Sequence, residues 1–184
     1  MLLDIGTGTI IAIITSKIFI LDLSFYLVLV SIFFAVLPDL DYIFFALKKH
    51  SLGLNKHTHE HRDIFHHPLV YLLLGGIMTY WFGLEYLFIF ATVSSLHFVH
   101  DSIGIGWGVK WLSPFSNKSY KFFSKKTIGF PRKIIVSWTP KELRSIIDES
   151  EDGNWFADVY LRPSSTLIIE ILFLIISLIF LIYA

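Results

Sequence analysis

Five apolar runs divide the chain, at residues 5–21, 23–38, 68–84, 86–96 and 163–184. A helix that crosses a bilayer needs about 20 apolar residues. Most of these runs fall slightly short or are clipped by a charge: Lys17 lies in the first, Glu85 separates the third from the fourth, and Glu170 interrupts the last. The pattern predicts spanning helices, some tilted or partly re-entrant. Asp22 marks a tight turn between the first two, and Gly83-Leu84-Glu85 a turn between the third and fourth. If all five cross, segments 38–67 and 97–162 share one side with the N-terminus. That side holds Lys48, Lys49, Lys56 and the basic run from Lys110 to Arg144, which makes it cytoplasmic by the positive-inside rule.

Residues 110–162 form the one long polar stretch. Lys125 to Trp138 mixes β-branched residues with basic ones, which suggests a short strand or hairpin. Thr139-Pro140-Lys141-Glu142 reads as a helix start, with Thr139 as N-cap, Pro140 as first helical residue and Glu142 as reciprocal capping partner. That helix should run to about Ile147, ahead of an acidic loop at 149–152. Trp107, Trp111 and Trp138 read as interfacial anchors. The glycines at 104, 106 and 108 suit close backbone approach.

Composition sharpens this picture. Over 184 residues, 54% are hydrophobic and 17% aromatic, mostly Phe. The fold class expected is all-α: a polytopic bundle of four or five transmembrane helices forming a single membrane domain over 1–184, with a small polar insertion at 110–162. The formal charge is zero, which gives no electrostatic case for a nucleic-acid partner. With no cysteine there is neither a disulfide nor a thiolate ligand, so any metal must be held by nitrogen and oxygen. The N-terminus lacks a basic stretch followed by a small-residue cleavage site, so no removable signal is expected.

All eight histidines lie between His50 and His100. Three acid–histidine clusters flank or fall within that window, each at the end of an apolar run: Pro38-Asp39-Leu40-Asp41, the tract from His57 through His59, His61, Arg62, His66 and His67, and His97-Phe98-Val99-His100-Asp101. Acids after a helix C-terminus oppose its dipole, so Asp39 and Asp41 are unfavourable there without a compensating cation. That cation is a metal or the nearby Lys48 and Lys49. His97 and Asp101 stand at i and i+4 and project from one helix face, with His100 close by. Alone, His97 and Asp101 read as a hydrogen-bonded core pair. Beside two further clusters they read as metal ligands. Arg62 has the planar fork that binds phosphate or carboxylate oxygens, and equally suits a lipid headgroup. Asp4, Glu85 and Glu170 are further candidate intramembrane acids.

These residues resemble a known family, the predicted membrane-bound metal-dependent hydrolases of bacteria and archaea, including the LexA-regulated inner-membrane type. Pro38-Asp39-Leu40-Asp41 is similar to its P-D-x-D element, His61-Arg62 with His66 to its H-R-x-x-x-H element, and His97 to Asp101 to its H-x-x-x-D element. Downstream, Trp111-Leu112-Ser113-Pro114-Phe115 resembles its Trp/Leu–Pro signature. The resemblance covers about residues 1–116. The family pattern carries an early histidine in the first span, whereas this chain has Ile5-Gly6-Thr7-Gly8 there, with Asp4 as the nearest substitute. His97 and Asp101 are also similar, more loosely, to ligand pairs of zinc-dependent phospholipase C.

Ligand chemistry and resemblance together imply hydrolysis of a lipid-linked ester or phosphoester. Asp39, Asp41, His61, His66, His97 and Asp101 would hold a divalent metal, zinc first, with manganese or magnesium as alternatives. His67 and His100 would move protons, and Arg62 would hold the developing oxyanion. The partners implied are the lipid bilayer and an amphiphilic substrate, and the location is the inner membrane, multi-pass. Two other readings use the same residues: a metal-ion transporter or sensor, and a scaffold whose metal staples helices without catalysis. The substrate, the metal count and the oligomeric state are not written in the sequence.

Overall fold

A computed structural model of the chain describes residues 2–42, 65–103, 107–124, 133–149 and 162–184. Each apolar run yields a helix: α1 (Leu2–Ile18), α2 (Phe25–Val36), α3 (Pro68–Tyr80), α4 (Leu84–Ile103) and, at the end of the chain, α6 (Ser165–Tyr183). A 3-10 turn, Leu37–Asp39, follows α2. The polar insertion supplies β1 (Ser119–Ser124), β2 (Lys133–Trp138) and α5 (Pro140–Glu149). The all-α expectation therefore needs one amendment, a two-stranded antiparallel sheet inside the insertion. Four or five helices of spanning length were expected, but among the described residues two are long and apolar enough to cross a membrane by length and composition, 25–42 and α6. α1 has 17 residues and α3 has 13. The third and fourth runs are separate helices, as the position of Glu85 suggested. Glu85 lies in the first turn of α4, where its charge favours the helix dipole, and the helix continues for 20 residues.

The chain divides into two compact units, one of residues 1–39, 72–97 and 159–184, the other of 40–71 and 98–158. In the first, α1 packs on both α2 and α6. Small residues make this possible. A Cβ on Gly8 would stand 2.6 Å from the Cα of Ile32, so α1 and α2 meet backbone to backbone there. The Ser31 hydroxyl donates to the Gly8 carbonyl at 2.6 Å, in full burial. Ile11, Ala12, Leu27, Val28, Ala35, Ile89 and Val93 fill the core around this contact. The hydroxyls of α1 cause no stranded polarity. Thr7, Thr9 and Thr15 donate to the carbonyls one turn back, at 2.7–2.9 Å. Ser24 and Ser164 cap α2 and α6 by accepting from the third residue on. Ile168, Leu172, Phe180 and Tyr183 of α6 are exposed, as expected of a helix facing lipid.

In the second unit, β1 and β2 pair in register from Ser119 opposite Trp138 to Ser124 opposite Lys133. Val109 bridges to Tyr120, and Gly108 turns the chain into that bridge at φ 83°. Any Cβ there would overlap the Tyr120 carbonyl, so Gly108 does permit close backbone approach. Gly104 and Gly106 lie outside the described residues. α5 begins with the capping box read from the sequence. Glu142 Oε2 accepts from Thr139 N at 2.7 Å and from its hydroxyl at 2.8 Å. The helix continues to Glu149, one half-turn beyond the expected end. Trp138 and Trp111 are not free anchors. Trp138 is buried, and the Trp111 ring meets Phe98 and Phe122 while its Nε1 donates to Ser102 Oγ at 2.7 Å.

Candidate metal centre

Two histidine clusters, one in each unit, are built alike. In the first, His97 from α4 donates or accepts through Nδ1 at 3.0 Å from Asp4 Oδ1, near the start of α1. Its Nε2 faces Asp39 Oδ1 at 3.6 Å, just past α2. In the second, His66, at the entry to α3, holds Nδ1 at 2.8 Å from Asp41 Oδ2 and Nε2 at 3.1 Å from Asp101 Oδ2. All but Asp39 are buried, and Asp39 is partly so. Each imidazole therefore lies between two carboxylates.

Local sequence explains these placements. Pro38 and the 3-10 turn end α2 and are followed by Asp39. His97 and Asp101 share α4 with a spacing of one turn, so each of the two histidine clusters takes one group from that helix. Likewise Asp39 serves one cluster and Asp41 the other. Phe98 fixes the ring plane of His66 by an edge contact at 6.0 Å and is itself held by Tyr71 and Trp111. Phe65 N also approaches Asp41 Oδ2, at 3.4 Å.

The electrostatics of such a sandwich are restrictive. A neutral imidazole has one N–H and one lone pair. With Nδ1–H given to a carboxylate, the Nε2 lone pair would point at a second carboxylate, which is repulsive. Either the ring carries a second proton or a cation sits between Nε2 and that oxygen. At His66, burial works against the charged ring, but Asp101 and Asp41 outweigh it and hold its pKa above the usual imidazole range. At His97 the 3.6 Å separation is too long for a hydrogen bond. It does suit two ligands of one ion. For bonds of about 2.1 Å, adjacent donors stand about 3.0 Å apart at 90° and about 3.4 Å at the tetrahedral angle. The 3.1 and 3.6 Å gaps lie around these values. Nδ1 held by a carboxylate while Nε2 faces the ligand oxygen is the usual arrangement of a metal-binding histidine. Carboxylate and imidazole are donor types that can hold a metal ion, and they do not fix which one.

Of the residues expected from sequence, Asp39, Asp41, His66, His97 and Asp101 all fall in these clusters. Asp41 sits on Nδ1 of His66, the orienting position. Asp4 takes the same position on His97. His67 is partly buried beside α3, where its carbonyl accepts from Tyr71 N. His100 Nδ1 is buried without a hydrogen-bond partner among the described residues. His61 and Arg62, together with His57 and His59, lie outside the described residues. The pairing of Asp4 with His97 joins positions 93 apart and has no local signature in the sequence.

The model of one protein family, described as YdjM inner membrane protein, matches residues 4–184. No curated protein and no solved structure matches the chain.

Proposed function

We propose that this chain, which belongs to the YdjM inner membrane protein family, is a metal-dependent hydrolase of lipid-linked esters or phosphoesters. It would cross the inner membrane with four or five helices and keep its histidine clusters on the cytoplasmic side. The observation that carries the reading is the repeated carboxylate–imidazole–carboxylate sandwich, with Nε2–oxygen gaps of 3.1 and 3.6 Å. A divalent ion held there would supply Lewis acidity and generate a nucleophilic hydroxide from water near neutral pH.

The chain's own residues divide the remaining work. His97 and Asp39, and His66 and Asp101, present the donor atoms. Asp4 and Asp41 accept Nδ1–H, which fixes each ring's tautomer and raises the basicity of Nε2. His100, whose buried Nδ1 has no hydrogen-bond partner among the described residues, suits proton transfer to a leaving group, and His67 is a second candidate. Arg62 would bind the oxyanion or the phosphate of the substrate. Ligands at helix ends, rather than strung along several helices, favour a reaction at the headgroup level over a permeation path.

The test is elemental analysis of the purified full-length chain, followed by hydrolysis assays on phospholipids and polyprenyl phosphates with zinc, manganese or magnesium. Stoichiometric metal and turnover that is lost in His97→Asn and in His66→Asn would support the reading. A chain that is folded, binds no divalent ion and releases no product would sink it.

A further inference from the structure

Charge in the polar insertion is segregated. Between 110 and 138 the sequence holds Lys110, Lys118, Lys121, Lys125, Lys126, Arg132 and Lys133, seven basic residues and no acid. From 140 to 158 it holds Glu142, Asp148, Glu149, Glu151, Asp152 and Asp158 against Lys141 and Arg144. An ordinary solvated surface intersperses the two signs. Among the described residues of the insertion, the basic half is also where large apolar side chains are exposed. Phe115 is 88% exposed, Ile134 71% and Phe123 63%, with Leu112 and Ile135 exposed as well.

These side chains are not spill-over from a small core. Trp138, Val109 and Ile147 are buried and show that the unit can bury apolar groups where it needs to. Phe123 in addition has φ 51°, a left-handed conformation that non-glycine residues seldom adopt. Such strain is kept where the position has a use. Along 110–138 aromatic and aliphatic side chains alternate with lysines and no acid intervenes in the sequence, although Lys118 lies within electrostatic reach of Glu142 on α5; exposed rings and ammonium groups together match the chemistry of an anionic membrane surface, where rings enter the headgroup layer and ammonium groups meet lipid phosphates.

We propose that the β1–β2 hairpin and the preceding 111–115 turn form a docking element for an anionic lipid surface, engaged through Leu112, Phe115, Phe123 and Ile134 with Lys118 and Lys121. The inference is independent of whether the histidine clusters hold a metal.

The chain has no cysteine, so a single nitroxide can be placed through Asn117→Cys, at an exposed polar position between Phe115 and Lys118. Full-length protein is reconstituted in nanodiscs of phosphatidylcholine alone or with phosphatidylglycerol. Collision of the nitroxide with oxygen, which partitions into lipid, is compared with collision with a water-soluble nickel chelate. The expected result is a lipid-shielded label in phosphatidylglycerol discs that becomes water-accessible in high salt. At about 1 kcal/mol for each basic residue near an anionic surface, Lys118→Gln with Lys121→Gln should lower the docked-to-undocked ratio about 30-fold. Equal shielding in both lipids would overturn the anionic-surface assignment. A label that stays in water in every disc, or is shielded only when a soluble protein or nucleic acid is added, would overturn docking altogether.

Discussion

Asp4→Asn separates the metal reading from a plain ion-pair network. The asparagine oxygen can still accept the Nδ1 proton of His97 at 3.0 Å, so the hydrogen bond survives and only the charge is lost. An ion bonded to Nε2 would stand about 7 Å from the Asp4 carboxylate, by adding that contact, the width of the ring and a metal–nitrogen bond of about 2.1 Å. Between charges of −1 and +2 this distance gives about 1 kcal/mol at the dielectric of water and about 5 kcal/mol at an effective value of 20. Measured losses for orienting partners, 10- to 100-fold in affinity, are about 1.4–2.8 kcal/mol and fall inside that bracket. The assay is competition with a chelating fluorophore on the purified full-length chain, beside a thermal melt to check folding. Asp22→Asn, exposed in the α1–α2 connection, removes the same charge far from the cluster and should leave affinity unchanged. An Asp4→Asn protein that melts normally and binds zinc as tightly as its parent would refute the orienting role.

Gly8→Ala places a methyl against the Ile32 backbone and should lower stability in detergent by about 1–3 kcal/mol, seen as a lower melting temperature, whereas Ser31→Ala, which removes one buried hydroxyl bond, should cost about 1 kcal/mol. The Thr139 N–H and hydroxyl hold the Glu142 carboxyl below its ordinary pKa; because the folded value is the lower one, the cap is fully formed above the ordinary carboxylate range and is lost as pH falls through the lowered value, so the protection of the Thr139 and Glu142 amides, measured against their intrinsic exchange rates, should fall in acid and Glu142→Gln should flatten that dependence. Trp111→Phe keeps the ring contacts with Phe98 and Phe122 but leaves Ser102 Oγ without its indole donor, and should loosen the 107–115 segment in hydrogen exchange with little change in helix content.

Much of the architecture was legible because it is local. Apolar runs bounded by Asp22, Gly83 and Pro68 gave helices at the expected places, and the Thr139–Glu142 box marked the start of α5 within one residue. The first strand was not legible. Ser119–Phe122 alternates for only four residues before Phe123 breaks the period, and the segment becomes a strand through its partner, Lys133–Trp138. Of the three tryptophans read as interfacial anchors, Trp138 is buried and Trp111 is partly so, because both are held by residues distant in sequence. At the histidine clusters the donor types could be read from composition and spacing, but their division could not. His97 and Asp101 look like one pair on a helix. In the folded chain they serve different histidine rings, because Asp4 and Asp39 approach from the other helices of the first unit.

The backbone contact at Gly8 reaches further than stability. Asp4 precedes it by one helical turn, and Asp39 follows Ile32 by two. Both acids address the same imidazole. The width of the slot between them is thus gauged by main chain resting on main chain, which no rotamer can adjust. Selectivity for an ion of one radius over another would then be tuned at a residue with no side chain and no contact with the ion.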